Sequence, residues 1–510
     1  VNTRALRNYD FISDPATYYE THFAALYNYY LEGGMNSLDA INQANSVITQ
    51  TAAAGGLGYQ IFNVPEGQSF IGRNGKINPG ATLGKVVSYK GEDFCMYPDD
   101  WDSAGYRTGV RQEYNVSVSG GTDRANIYAS LGFLDNNGIT ENSGMRRITS
   151  RLRAGYKAKP WLTVNGNLSF TNYSSDRISY NGSTSTGNIW SFTANIAPIY
   201  PLYIRDAAGN IRTDSNGIPM MDLGDGENGG MYRPYMTNYN AILTNILDVN
   251  REEGNAFTGS GAADISLGRY FKFTTNISSS VREYRYNALG NPYYGTSAQI
   301  GGAVSVGHYR YTHFNTQQIL NFTRSFADVH NLNIMAGHEF YMNDSYSLAA
   351  SKQTILSTDN IELNGAITDS SASGSTVYSY NNEGFFTRAQ YDLDQRIFLS
   401  ASFRMDASSR FAEAHRWGGF WSAGAAWLLN KEAALHLPGW VDMLKIKASV
   451  GSQGNDNIGS YRYTDTFTVQ NANGQPGTSF NTKGTRDISW ETNGNFNAGV
   501  EFSLWKGRLT

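Results

Sequence analysis

Strict alternation of apolar and polar residues, repeated in segments from residue 110 onward, is the feature that most constrains this fold. In the first segment Tyr114, Val116 and Val118 occupy one parity, while Asn115 and Ser117 occupy the other. A period of two residues places successive side chains on opposite faces of a β-strand. The pattern therefore predicts a sheet that is apolar on one face and polar on the other.

The same alternation predicts about thirteen strands along the chain. We place them near 110–119, 125–133, 147–156, 162–171, 254–267, 270–283, 307–325, 331–342, 382–393, 396–406, 417–428, 443–451 and 492–505. Polar positions such as Arg147, Arg151 and Arg153 alternate with apolar ones, and this suits a polar interior.

Connections between the predicted strands alternate between short and long. The short ones lie near 121–124, 157–160, 268–269, 326–330 and 394–395, with a medium link at 429–442, and the long ones lie near 134–144, 173–253, 284–306, 343–381 and 452–491. Outer-membrane barrels have short periplasmic turns and long extracellular loops, whereas a soluble β-sandwich has no reason to sort its loops this way. We therefore predict an all-β, antiparallel transmembrane barrel, and a soluble sandwich is the alternative.

Composition removes several other classes of protein. No segment approaches the run of about eighteen apolar residues that a spanning helix needs. The formal charge of −4 and the isoelectric point near 6.0 provide no basic surface for nucleic acid. The single Cys95 excludes an internal disulfide.

Residues 1–109 lack the alternation and are predicted to be an extracellular region with two helices. Asp14-Pro15 begins a helix that runs to Gly33-Gly34, and Ser37 caps a second helix to about Ala53. Residues 110–510 are predicted to form the barrel portion. The chain starts at Val1 and stops at Thr510 as a further strand begins, so we expect it to be part of a longer protein.

Several segments resemble the SusC/RagA-type TonB-dependent transporters of Bacteroidetes outer membranes. The segments are Asn115-Val-Ser-Val-Ser-Gly-Gly-Thr122, Tyr128 to Gly138, Arg404-Met-Asp-Ala-Ser-Ser-Arg-Phe411, Arg416-Trp-Gly418, Ala425-Ala-Trp427, Leu444-Lys-Ile-Lys-Ala-Ser-Val-Gly451, Gly454-Asn-Asp-Asn-Ile-Gly459 and Trp490-Glu491. Ala407 stands where this family usually has Gly. The resemblance covers roughly 110–510 and places the protein in a Gram-negative outer membrane.

The resemblance implies a barrel of twenty-two strands with an internal plug, energised through TonB and covered by a SusD-like lipoprotein lid. Glycans or peptides are the cargo that it implies. The plug and the TonB-contact segment would lie outside this chain. A passive porin and a surface carbohydrate-binding β-protein are the alternative functions.

Two sets of residues are candidates for a functional site. Aromatic residues of the long loop are candidate substrate or lid contacts, because aromatic faces stack on sugar rings and also serve protein interfaces: Tyr180, Trp190, Tyr200, Tyr203, Tyr232, Tyr235 and Tyr239. The residues of the family motifs are expected to be structural: Arg404, Asp406, Ser408, Ser409, Arg410, Phe411, Arg416, Trp417, Gly418, Gly451, Gly454, Asn455 and Asp456.

No catalytic or metal site is predicted. His338-Glu339 lacks the second histidine of a zinc-protease helix. Asp222, Asp225 and Glu227 in a Gly-rich loop could bind calcium through oxygen ligands, but their spacing favours a solvated loop. The sequence therefore predicts a transporter that is not an enzyme and has no cofactor.

Overall fold

A computed structural model describes residues 12–178, 188–370 and 373–510, and its main element is one large antiparallel sheet. The strands are β1 (Phe62–Asn63), β2 (Thr82–Leu83), β3 (Lys85–Tyr89), β4 (Glu92–Met96), β5 (Arg111–Gly121), β6 (Ala125–Asn137), β7 (Gly144–Lys159), β8 (Leu162–Asp176), β9 (Val249–Leu267), β10 (Phe271–Gly290), β11 (Ala303–Phe326), β12 (His330–Ile355), β13 (Ala366–Asp369), β14 (Gly374–Leu393), β15 (Ile397–Ser408), β16 (Trp417–Leu428), β17 (Val441–Asn455), β18 (Thr466–Ala472), β19 (Gln475–Thr482) and β20 (Glu491–Leu504).

The large sheet follows the order of the chain from β5 to β20, and each strand on this path pairs with the next one along the chain, while the path omits β13, β18 and β19. All the segments predicted from the alternation are strands of this sheet, and β13 adds a short strand beside β12 that the alternation does not predict. The sheet is open, with β5 and β20 at its edges. Hairpins β1–β2, β3–β4 and β18–β19 lie outside it.

One face of the sheet is apolar and exposed. Phe170 pairs with Phe257 across β8 and β9, and both side chains are more than 40% exposed. Val116, Leu131 and Ile277 continue this face on other strands. We call it the outer face. The opposite, inner face carries polar residues such as Arg151 and Glu339, so the predicted two-faced sheet is confirmed.

The strands extend beyond the predicted segments on the long-loop side. The segment 284–306, which was assigned to a loop, contains the last residues of β10 and the first residues of β11. The segment 343–381 contains the second half of β12 and the first part of β14. The outer face is polar in this zone, where Glu283 pairs with Arg310 and Arg285 pairs with His308. Alternation disappears when both faces are polar, and the sequence pattern therefore ended the strands too early.

Short turns and longer connections alternate as predicted. The β14–β15 turn uses Asp394 and Gln395 with φ of 51° and 53°, the left-handed conformation that joins antiparallel strands tightly. Trp505, Lys506 and Gly507 also have positive φ, and the Leu504 amide donates to the carbonyl of Leu509, so a tight turn follows β20.

The helices are α1 (Pro15–Glu32), α2 (Ser37–Val47), α3 (Trp101–Gly105), α4 (Ile189–Asn195) and α5 (Ala241–Leu247). The Asp14 carboxylate caps α1 by accepting the Thr17 amide at 2.8 Å, as predicted. For α2 the prediction was wrong in two details: Asn36, not Ser37, is the N-cap, and the helix ends at Val47. Within the described ranges, no helix has the length and apolar character needed to cross a bilayer.

Residues near the N-terminus and the loop after β8 share one hydrophobic core. Tyr19 and Phe23 of α1 are buried together with Trp101 of α3, Phe192 of α4 and Leu243 of α5. The loop after β8 therefore packs with the helical N-terminal segment on the long-loop side of the sheet. We call this unit the loop-side core. It also buries the free thiol Cys95 on β4.

Candidate functional site

An ion-pair network on the inner face contains the first residues of the family motif. Arg404 on β15 donates from Nη2 to Glu339 Oε2 at 2.9 Å and from Nε to both Asp406 oxygens at 2.7 and 2.8 Å. Gly384 on β14 lies beneath this network, because a Cβ there would be 2.3 Å from Asp406 Oδ1. One arginine thus joins a carboxylate of β12 to a carboxylate of β15 across the intervening β14.

Asp456 organises the loops that follow β15 and β17. Its Oδ2 accepts hydrogen bonds from Ser408 Oγ at 2.7 Å and from the Tyr380 hydroxyl at 2.8 Å. Arg410 donates to the carbonyl of Asp456 at 3.0 Å, and its guanidinium lies 4.7 Å above the Tyr380 ring. Ser409 Oγ accepts from the Asn381 amide at 3.0 Å. These contacts tie the β15–β16 loop to β14 and β17.

An aromatic cluster forms at the end of the same loop. Phe411 is fully buried against Trp490, with ring centroids 5.5 Å apart, and Phe420 lies 5.3 Å from Trp490. The backbone passes closely at two glycines, since a Cβ would be 2.7 Å from Trp490 at Gly418 and 2.1 Å from Phe420 at Gly454.

The other motif residues lie around this cluster. Arg416 Nε donates to the carbonyl of Phe411 at 3.3 Å, and the carbonyl of Arg416 accepts from Trp490 Nε1 at 2.7 Å. Trp417 stacks on Phe385 on the outer face. Gly451 faces the Ser422 backbone, and Asn455 Nδ2 donates to Glu491 at 2.8 Å.

The predicted aromatic contacts of the long loop divide into two groups. Tyr200 is fully buried and donates its hydroxyl to the carbonyl of Leu57 at 3.1 Å, so its ring packs inside the loop-side core, and a substrate or lid contact by Tyr200 stays a prediction. Tyr203, Tyr235 and Tyr239 pack against the same loop-side core.

Burial raises the pKa of the Tyr200 and Tyr235 phenols and, less strongly, that of Tyr239. Trp190 and Tyr232 are 45% and 50% exposed, and their surfaces are available to a partner. Tyr180 lies outside the described residues.

These environments predict truncation effects of very different size. Tyr200→Ala removes a fully buried ring and is expected to destabilise the loop-side core by about 3–5 kcal/mol. Trp190→Ala, at an exposed position, is expected to cost less than about 1 kcal/mol. Thermal unfolding of both variants in detergent, followed by near-ultraviolet circular dichroism, measures the difference. Equal destabilisation would contradict the assigned burial.

The Gly-rich loop that contains Asp222 is not the solvated loop that its spacing suggests. Asp222 is 1% exposed and accepts from the Tyr59 hydroxyl at 2.9 Å, from Asn228 Nδ2 at 2.7 Å and from the Gly224 amide at 2.6 Å. The pKa of this carboxyl is raised above its ordinary value, because the effect of burial exceeds the lowering by the neighbouring Arg233.

The remaining members of this acidic group point elsewhere. Glu227 is exposed and pairs with Lys90 at 3.3 Å. No group of three or more His, Cys, Asp or Glu side chains converges within the part of the chain that the structure describes. Calcium binding by Asp222, Asp225 and Glu227 stays a prediction.

A row of tyrosines on the inner face was missed by sequence reasoning. Tyr173 on β8, Tyr284 on β10 and Tyr309 on β11 lie in one line of paired residues, with Gly254 of β9 between the first two. Together with Tyr311, Tyr341 and Tyr380 we call these residues the tyrosine band. The signal was present, because Tyr-Arg-Tyr occurs at 284–286 and at 309–311 with both tyrosines at inward parity.

A sheet with a lipid-compatible outer face, a hydrogen-bonded polar inner face and alternating short and long connections defines a stretch of outer-membrane β-barrel wall. A family model described as "TonB dependent receptor-like, beta-barrel" matches residues 202–510. The chain belongs to this family, whose receptor barrels are outer-membrane proteins.

The chain is also similar to individual members. It is 24% identical over 413 residues to "TonB-dependent receptor P39" of Formosa agariphila, covering 79% of this chain and 36% of that protein. It is 25% identical over 450 residues to "TonB-dependent receptor SusC" of Bacteroides thetaiotaomicron, covering 81% of this chain and 41% of that protein. The chain thus spans less than half the length of these relatives.

A solved structure of the RagAB peptide transporter has the same fold. The TM-score is 0.67 with 23% sequence identity, over 83% of this chain and 45% of that chain. The recognition of a SusC/RagA-type receptor barrel is therefore confirmed.

Proposed function

We propose that this chain forms part of the wall of an active importer, which carries an oligosaccharide or a peptide through a TonB-energised barrel. The observation that carries the proposal is the inner face. Asn315, Gln317 and Arg404 each donate a hydrogen bond to Glu339 there, while the outer face is apolar. Such a wall suits a polar solute path inside a bilayer.

The similarity to receptors named as TonB-dependent supports energised transport, and RagAB is described as a peptide transporter. A SusD-like lipoprotein lid is part of the proposal. The exposed side chains of Trp190 and Tyr232 on the loop-side core are the surfaces that we assign to it. The plug and the segment that contacts TonB belong to the complete transporter in this proposal.

Energy dependence tests the proposal directly. In cells that express the complete transporter, uptake of a labelled oligosaccharide or peptide is expected to fall at least tenfold when TonB is depleted or the proton gradient is collapsed. An active importer needs inner-membrane energy, whereas a passive porin does not. Uptake that persists after both treatments would replace active import with passive diffusion. A strain without the transporter provides the background rate.

A further inference from the structure

The tyrosine band occupies four successive lines of paired residues on the inner face, and Tyr341, paired with Asn315, lies in the fourth. Tyr173, Tyr284 and Tyr309 lie in the first line, and Tyr311 pairs with Ser345 in the second. In the third line Asn343 joins His313 to Tyr380. The band crosses five strand spacings from β8 to β14, which corresponds to about 24 Å.

The rings pack against one another and keep their hydroxyl edges on the inner face. Tyr284 is stacked on Tyr309 with centroids 4.8 Å apart and an interplanar angle of 16°, and on Tyr311 at 6.2 Å and 16°. Gly254 makes this possible, since a Cβ there would be 2.8 Å from both Tyr173 and Tyr284. At the other end Tyr341 lies 6.1 Å from Tyr380. The rings are half-buried, so an exposed part of each remains available to a ligand.

Charges beside the band are paired. Arg282 lies 4.9 Å above the Tyr284 ring and pairs with Glu252 at 3.3 Å, and Glu252 also accepts the Tyr173 hydroxyl at 2.6 Å. Arg410 at the far end is held by Asp456. Glu252 also pairs with Arg177 at 3.1 Å, so these charged groups are held in ion pairs, and the band itself offers a ligand aromatic rings and hydroxyl groups.

Small polar side chains separate the rings. Ser345, Ser347 and Asn343 of β12 pair with Tyr311, Tyr309 and His313 of β11. Peptide side chains of varied size would be better matched by apolar sockets, which this surface lacks among the residues that form the band. Hydroxyl and amide groups interspersed with aromatic rings suit a ligand that has both C–H faces and hydroxyl groups.

From this arrangement we infer that the tyrosine band is a binding track for an uncharged oligosaccharide on the inner face of the sheet, towards its long-loop side. This inference rests on the proposed function, and it selects one cargo class and one set of contact residues. Sugar C–H faces contact the exposed parts of the rings, and sugar hydroxyls exchange hydrogen bonds with the phenols, Ser345 and Asn343. The paired charges discriminate against ligands with a high density of one charge.

Calorimetry on the purified transporter in detergent, without TonB, tests the track separately from energised uptake. The probes are neutral hexose and pentose oligomers of six units, a galacturonic acid oligomer of the same length and an unstructured hexapeptide. We expect binding of at least one neutral oligomer. Tyr284→Ala and Tyr309→Ala should each weaken it at least tenfold, and Tyr284→Phe, which keeps the stacked ring, should weaken it less.

Tyr346→Ala is the matched control, because Tyr346 lies on the outer face of β12 and is 37% exposed. Its affinity should equal that of the unmodified protein. Unchanged affinity in the Tyr284 and Tyr309 variants, binding of none of the neutral oligomers, or preference for the hexapeptide would each overturn the inference. Energised uptake could still be observed in those cases, so the proposed function would stand.

Discussion

Replacing Asp222 by Asn is expected to open the loop-side core while leaving the barrel wall folded. The carboxylate accepts from Tyr59, Asn228 and the Gly224 amide inside a site that is 1% exposed. In Asp222→Asn an NH₂ group replaces one carboxylate oxygen, so a donor faces a donor. The variant also loses the negative charge beside the buried Arg233. Removal of one partner from such a buried network costs about 3–5 kcal/mol.

Limited trypsin digestion in detergent measures this effect. A cost of about 3–5 kcal/mol raises the population of the open core on the order of 10²- to 10³-fold, because every 1.4 kcal/mol is tenfold. Cleavage after Arg205 should accelerate accordingly when opening is fast relative to cleavage. Glu227→Gln in the same loop is the control, since Glu227 is exposed and should leave the rate nearly unchanged. Equal rates in both variants would contradict the structural role of Asp222.

The sequence predicted the part of the fold that lies in the bilayer because lipid enforces alternation there. Val116, Leu131 and Phe257 must face lipid, and their partners on the same strands must face the interior. Above the bilayer this constraint ends. Glu283 and Arg285 occupy outer positions of β10, so the pattern no longer distinguishes a strand from a loop. The tyrosine band was missed in part for this reason, since Tyr173, Tyr284 and Tyr380 lay in segments assigned to loops.

Contacts between distant parts of the chain limited the prediction of the long-loop aromatics. Tyr200 is buried because residues far earlier in the sequence pack against it. The Leu57 carbonyl accepts a hydrogen bond from its hydroxyl, and the centroid of the Tyr59 ring lies 5.1 Å from that of Tyr200. Asp222 is buried for the same reason, through its bonds to Tyr59. Nothing local in a polar, Gly-rich loop indicates such a partner. The motif residues were easier to identify, because their family pattern is contiguous in sequence.

Replacing Gly454 by Val should destabilise the barrel more than a glycine-to-valine change usually does in an exposed strand. A Cβ at Gly454 would lie 2.1 Å from the Phe420 ring, which is 8% exposed and packs on Trp490. The ring must leave this position, and Phe411, which is fully buried against Trp490, then loses part of its packing. Overpacking of this kind costs about 1–3 kcal/mol.

Gly494→Val on β20 is the control, because no atom lies within 4 Å of its added Cβ. The temperature at which the folded species disappears from detergent gels should fall clearly for Gly454→Val and little for Gly494→Val. A similar fall in both variants would mean that strand propensity, and not contact with Phe420, explains the glycine at 454.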